Sequence, residues 1–308
     1  MIARIGEMLR RQWPGAFAGA IPFGDDLAPL TPHDTGPLAW TTDAIMDGVD
    51  FDSTVHDWSA IGRKALAVNL SDCAAMAAQP VAALVNLVIT RTLTSENVIG
   101  IMRGAIQTAA EFDCPIVGGD FNSWSAPTVI SIAVAAEPWP EMPLVRRDGM
   151  RPGDILCVTG PLGGSILGRH LAFQPRVLEA RRLMESLRPA AMIDISDGLA
   201  LDLARMAEAS DCAAALEPAM FDAVIHEDAR RLSATTGCPA RDHALNDGED
   251  FELIVAVRPD AFAAAPRELV ATLLQIGTAE AGSGVGWRKP GGGVERIKPR
   301  GWEHTLGE

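Results

Sequence analysis

Residues 40–51 read WTTDAIMDGVDF: an apolar strand runs into two adjacent hydroxyls, Thr41 and Thr42, and a carboxylate, Asp43, with further acids at Asp47 and Asp50. Hydroxyl and carboxylate oxygens are the ligands of a hard cation, and Mg2+ keeps several waters and reaches its substrate through phosphates. A strand end closed by an Asx turn would account for one such stretch. The pattern recurs, however, with Asp-bearing turns beside apolar runs at Gly24-Asp25-Asp26, Ser71-Asp72, Gly118-Gly119-Asp120, 193–198 (IDISDG) and Gly248-Glu249-Asp250. Repetition on that scale predicts one shared site for a polyanion and metal.

Composition narrows the partners. A chain of 308 residues, 48% hydrophobic, can bury more than one core and predicts two domains. Its formal net charge of −14 and lack of Lys/Arg runs exclude a nucleic-acid surface, so phosphates must be bound through metal. The cysteines, Cys73, Cys114, Cys157, Cys212 and Cys238, stand singly with no CxxC pair, which predicts buried free thiols in a reducing cytoplasm. No apolar run reaches the ~18 residues of a membrane span, and the first residues lack the apolar core of a signal peptide.

In chain order, apolar spacing predicts a helix from Ile2 to Arg11 and a strand over 38–42 entering a turn at Asp43. A helix over about 59–78 places Asn69, Asp72, Cys73 and Met76 on one face. Asp72 there stands among Ala, Leu and Val, where a charge needs a partner or a metal. The unbroken apolar run 81–89 (VAALVNLVI) predicts a strand covered on both faces. Thr94 or Ser95 caps a helix ending near Phe112. In 115–120 (PIVGGD) the paired glycines either let the backbone approach a ligand or make a plain tight turn. A strand over 128–136 closes this half, and the stiff segment 137–143 (EPWPEMP) puts the domain boundary near residue 140.

The second half starts with a strand over 155–159 and a glycine-rich loop, 160–168, that opens a helix and can cradle an anion, although it matches neither a Walker loop nor GxGxxG. In 192–202 (MIDISDGLALD), Asp194 and Asp197 flank Ser196 ahead of a helix over 199–209, and Asp197 is placed to serve as its N-cap. Acids again precede an apolar strand in 247–257 (DGEDFELIVAV). Trp302, near the end of the chain, either caps a pocket or packs.

Taken together, GDD at 24–26, TTDAIMDGV at 41–49, KALAVNLSDCAAM at 64–76, GGD at 118–120, RRDGMRPGD at 146–154, IDISDGL at 193–199, GEDFEL at 248–253 and RGWEH at 300–304 resemble the thiamine-monophosphate kinase family. That family lies in the superfamily of aminoimidazole ribonucleotide synthetase and selenophosphate synthetase. The resemblance implies a two-domain PurM-like architecture, with an α+β ATP/Mg-binding and dimerisation domain over 1–140 and an α/β sandwich over 141–308. It implies phosphorylation of thiamine monophosphate to the diphosphate, with ATP as donor, several Mg2+ ions and a homodimer with ATP near its interface. Carried over position by position, it makes Asp26, Thr41, Thr42, Asp43, Asp72, Asp120, Asp194 and Asp197 metal ligands. Gly119, Asp120, Arg147 and Ser196 would contact ATP, with Asp43, Asp72 and Arg147 the catalytic set. Asp50, Glu249 and Trp302 would line the acceptor pocket. The metal and ATP positions match, whereas the acceptor side departs at Asp50, Phe121, Asn122, Asn246 and Asp247. A related kinase for another small acceptor, or an idle nucleotide-binding regulator, therefore stays open.

Overall fold

The computed structural model describes residues 2–14 and 37–303, and the chain divides into two compact units: Met1–Cys73 with Ala78–Glu141, and Ala74–Ala77 with Met142–Glu308. The Gly24-Asp25-Asp26 turn, Asp26 included, lies outside the described residues.

The first unit is built from α1 (Ile2–Gln12), β1 (Ala39–Met46), α2 (Trp58–Ala75), β2 (Ala78–Thr90), α3 (Ser95–Glu111), β3 (Ile116–Trp124) and β4 (Val129–Pro138). Its four-stranded sheet has the order β1-β4-β2-β3, with only β2 and β3 parallel. Thr94 caps α3 in a reciprocal box with Asn97, as its position ahead of the apolar run predicts. Gly62 of α2 lets α3 approach so closely that a Cβ there would stand 1.9 Å from Ile101 O.

Strand β2 corrects one expectation. Ala83, Val85, Leu87 and Ile89 are buried, but Leu84 and Val88 are half-buried and Asn86 is exposed, so within the chain only one face is fully covered. The register carries the open face across the sheet through Ala133 and Ser131 to Thr42 and Ala44. Beside them Trp40 is 57% exposed.

The second unit contains β5 (Ile155–Val158), α4 (Arg169–Ala172), α5 (Val177–Ser186), β6 (Ala191–Asp194), α6 (Leu199–Ala209), β7 (Ala213–Leu216), α7 (Pro218–Asp222), α8 (Glu227–Thr236), α9 (Ala240–Asn246), β8 (Leu253–Val257), α10 (Pro259–Ala264), α11 (Arg267–Val270), β9 (Leu274–Glu280), β10 (Gly284–Arg288) and β11 (Val294–Arg296). Its seven strands run in the order β11-β10-β7-β9-β5-β8-β6, parallel only between β7 and β10. Every residue of β8 is buried, which places the strand in the middle of the core its apolar sequence requires. The core joins Leu156 and Val158 of β5, Ile193 of β6, Leu199 and Leu203 of α6 and Ile254 of β8. Both units mix helices with strands around one sheet each, as the α+β / α/β reading expects.

Candidate active site

Strand alternation decides what β1 presents. Asp43 does not sit in a turn: the strand continues through it to Met46, so Thr41, Asp43 and Ile45 point toward α2, while Trp40, Thr42 and Ala44 point the other way. Thr41 Oγ1 donates to Asp72 Oδ2. The Asp43 N–H donates to Asn69 Oδ1 at 3.1 Å, and Asn69 is itself fixed by donating to Ala65 O at 3.1 Å. Asn69 and Asp72, expected on one face of this helix, both reach β1, whereas Met76, expected on the same face, lies just past the end of α2. Thr42, expected as a ligand beside Thr41, carries its side chain on the opposite face, so only its backbone is available on the side of Asp72.

Asp43 and Asp72 interact carboxyl to carboxyl. Burial, together with the Asp72 charge and hydrogen bond and the more modest Asp50 charge, pushes Asp43 up to about 7. Two like charges about 4 Å apart repel by about 4 kcal/mol at an effective dielectric near 20, so the pair needs a proton or a cation between its members. Every nearby donor is oxygen: one hydroxyl, two carboxylates and one amide carbonyl. That set fits Mg2+, which takes one or two carboxylates and completes its octahedron with waters and phosphates. Among the described residues no group of three or more His, Cys, Asp or Glu side chains could hold a metal.

The turn after β1 is tied down from both sides. Asp50 Oδ2 accepts the Met46 N–H at 2.7 Å, and the buried Lys64 ammonium donates to Asp50 O at 2.6 Å. Asp50, expected in the acceptor pocket, has one carboxylate oxygen committed to its own turn.

The Gly118-Gly119-Asp120 segment is not a turn but part of β3. Gly119 has φ +154°, and a Cβ there would lie 1.9 Å from Val85 O, so the glycine allows a close backbone approach to strand β2. Asp120 is exposed beside Asn86. Because β1 and β3 are the two edges of the sheet, Asp43 and Asp120 stand three strand spacings apart, on the order of 14 Å. Within the first unit, Asp43 and Asp120 therefore do not share one cluster.

In the second unit three distant segments meet. Glu249 N–H donates to Ser196 O at 2.7 Å, Phe251 N–H to Ile195 O at 2.9 Å, and Trp302 N–H to Asp197 O at 2.9 Å. These bonds bring together the segments that carry Asp194, Ser196, Asp197, Glu249 and Trp302. Trp302 is 53% exposed, leaving much of its indole to solvent or a ligand. Arg147 is also exposed, and its carbonyl accepts from Ser210 Oγ at 3.0 Å.

Two expectations change here. Asp197 is not the N-cap of α6: Gly198 holds that position, and Asp202 reaches back to accept the N–H groups of Asp197 at 3.0 Å and Gly198 at 3.2 Å. Asp197 instead pairs with Arg205. The glycine-rich loop does cradle an anion, but the anion is the chain's own: Gly163 N–H donates to Asp250 at 2.9 and 3.0 Å, and Gly164 N–H to Asp247 Oδ2 at 3.1 Å. Helical spacing indicates Asn69, whereas no motif marks Asp202 or Arg205 as a site residue. For Asp202 the missed signal is an acid one turn inside a helix that follows a Gly, a pattern suited to back-capping.

Residues 24–137 match the family model described as AIR synthase related protein, N-terminal domain. A thiamine-monophosphate kinase from Rhodopirellula baltica is 40% identical over 264 residues, covering 85% of this chain and 82% of that protein. The chain belongs to the thiamine-monophosphate kinase family. A crystal structure of thiamine-monophosphate kinase from Stenotrophomonas maltophilia K279a superposes with a TM-score of 0.77 at 27% identity, covering 91% of this chain and 94% of that one. AaThiL, solved complexed with AMPPCP and TMP, shares the fold with a TM-score of 0.77 at 24% identity, over 97% of this chain and 95% of its own.

Proposed function

We propose that the chain transfers the γ-phosphoryl group of ATP to the phosphate of thiamine monophosphate, giving thiamine diphosphate and ADP. The observation that carries this reading is the Asp43–Asp72 carboxyl pair with the Thr41 hydroxyl against it. Family membership and the AaThiL complex with an ATP analogue and TMP support the choice of donor and acceptor.

A phosphate monoester has its second pKa near 6 and is largely dianionic at neutral pH, so the attacking oxygen needs no general base. The bond from the γ-phosphorus to the β–γ bridging oxygen breaks, the bond to the acceptor oxygen forms, and ADP carries away the electron pair. What remains for the protein is placement and relief of repulsion between anions. When bound, Mg2+ supplies that neutralisation. Asp43 and Asp72, with Thr41 beside them, would hold it; Asp26, Asp120, Asp194, Asp197 and the backbone at Thr42 are proposed as further ligands. Arg147 and Ser196 would contact the nucleotide, with the Gly119 backbone beside Asp120. Glu249 and Trp302 would receive the acceptor, Trp302 by stacking on a heteroaromatic ring. Asp50 would act through the turn it braces.

The half-covered sheet face around Leu84, Val88, Ala133 and Trp40 supports a homodimer. Light scattering at micromolar concentration should then give twice the 32.6 kDa of the chain. Four fully buried free cysteines support a reducing compartment, and the cytoplasm is the proposed location. Among the described residues no helix is long and apolar enough to cross a membrane.

The deciding experiment incubates the protein with ATP, Mg2+ and a panel of phosphorylated acceptors, and identifies products by mass. Thiamine diphosphate should form. Transfer to a different acceptor alone would replace the substrate, and no transfer at all would refute the kinase reading.

A further inference from the structure

Residues 248–251 hold an uncommon backbone. Glu249 has φ +52° and Phe251 φ +51°, with Gly248 at +75° between the first of them and Asp247. Side-chain-bearing residues in that region persist only where the surroundings over-determine them. Backbone bonds to Ser196 and Ile195 hold one side of the segment. The other side is held by residues 169–176, which no functional motif includes.

Three successive residues are gripped in turn. Asp250 receives Arg169 Nη2 at 3.0 Å, and the same nitrogen reaches Gly163 O at 2.8 Å, while Arg169 Nε pairs with Asp228 at 3.2 Å. Phe251 stacks on Phe173, with ring centroids 4.1 Å apart and planes within 18°. Glu252 is held by Arg176 through both carboxylate oxygens, at 2.8 and 2.6 Å. The guanidinium fork fixes orientation as well as distance in such pairs. The three side chains that follow Glu249 are thus each anchored.

We propose that Arg169 and Arg176 are positioning residues for the acceptor: by anchoring Asp250 and Glu252 they impose the left-handed conformation that aims Glu249. The inference rests on the reading of Glu249 as an acceptor-side group. It assigns a specificity role to a segment outside the motifs that carry the family resemblance.

The test is a double-mutant cycle between Arg169→Met and Glu249→Ala, with Arg169→Lys and Arg176→Lys as variants that keep the charge and lose the fork. Arg169→Met should raise KM for thiamine monophosphate about tenfold, with kcat and the KM for ATP within about twofold. Arg169→Lys should recover part of the loss, and the double variant should be no worse than Glu249→Ala alone. Losses that multiply in the double variant, or equal changes in both KM values and kcat, would overturn the proposal. A wild-type protein that turns over no thiamine monophosphate refutes the proposed function instead. Hydrogen exchange at residues 248–251 then decides: faster exchange in folded Arg169→Met supports the anchoring, and unchanged exchange overturns it.

Discussion

Arg205 Nη1 lies 2.5 Å from Asp197 Oδ2 and 2.7 Å from Asp202 Oδ1, so one guanidinium nitrogen serves two carboxylates at the start of α6. Asp202 is 1% exposed and Asp197 is a proposed metal ligand, which makes Arg205 the resident cation of this turn. Arg205→Met should cost about 1–2 kcal/mol of stability without metal, the figure reduced because Arg205 is itself half-exposed. Added Mg2+ should restore more stability to the variant than to the wild type in thermal melts, since an uncompensated carboxylate binds cations more readily. Equal Mg2+ responses would detach Asp197 from the metal.

Asp43→Asn should act in opposite directions on function and stability. Removing one charge relieves the repulsion with Asp72, so the metal-free protein should melt no lower than wild type. Turnover should fall by at least about a hundredfold, because the metal loses a carboxylate where transferred charge develops. Calorimetry should show weakened Mg2+ binding. Near-normal turnover would remove the pair from the centre of the chemistry.

Asp250 predicts a pH dependence of stability. Burial raises it from 3.8 to about 7, against the pull of Arg169 and the Gly163 N–H. The folded state therefore keeps a proton that the unfolded chain has released, and the contribution of Asp250 is fully present below about pH 4 and lost as pH rises through about 7. Asp250→Asn has no proton to lose. Denaturant titrations between about pH 5 and 8 should show the wild type losing more stability over that range than the variant.

Gly119→Ala separates structure from nucleotide contact. With a Cβ directed at Val85 O and φ of +154°, the substitution should destabilise by roughly 2 kcal/mol or more whether or not ATP is present. A stable variant with weakened ATP binding would show that β2 yields and that the glycine serves the nucleotide alone.

Trp302→Ala removes a largely exposed ring, so melting should shift little. KM for thiamine monophosphate should rise several-fold, since stacking contributes about 0.5–1.5 kcal/mol. An unchanged KM would return Trp302 to a packing role.

Local signals made much of this legible. The Thr94 cap placed α3, and the apolar period within 199–209 gave α6 its bounds. Asp43 lies within β1 rather than in the expected turn, because its polar neighbours mask an alternation that Thr41, Asp43 and Ile45 do obey. The Gly-Gly pair before Asp120 carries the signature of a turn, yet it answers to strand crowding that only the register reveals. Arg169 and Arg176 meet their partners 81 and 76 residues away, beyond the reach of any motif or helical period. Long-range ion pairs of that kind leave no periodic trace, because the apolar pattern encodes faces rather than partners.

The glycine loop closed around Asp250 gives the fold a self-inserted plug. In an Asp250→Gly variant the amide of Gly163 and Nη2 of Arg169 would be left facing a vacated carboxylate socket, lined for a small organic acid. Formate or acetate in the buffer should then restore lost stability in a saturable way, and larger acids should not. A chain strongly negative overall would thus carry one pocket that welcomes an anion without any metal.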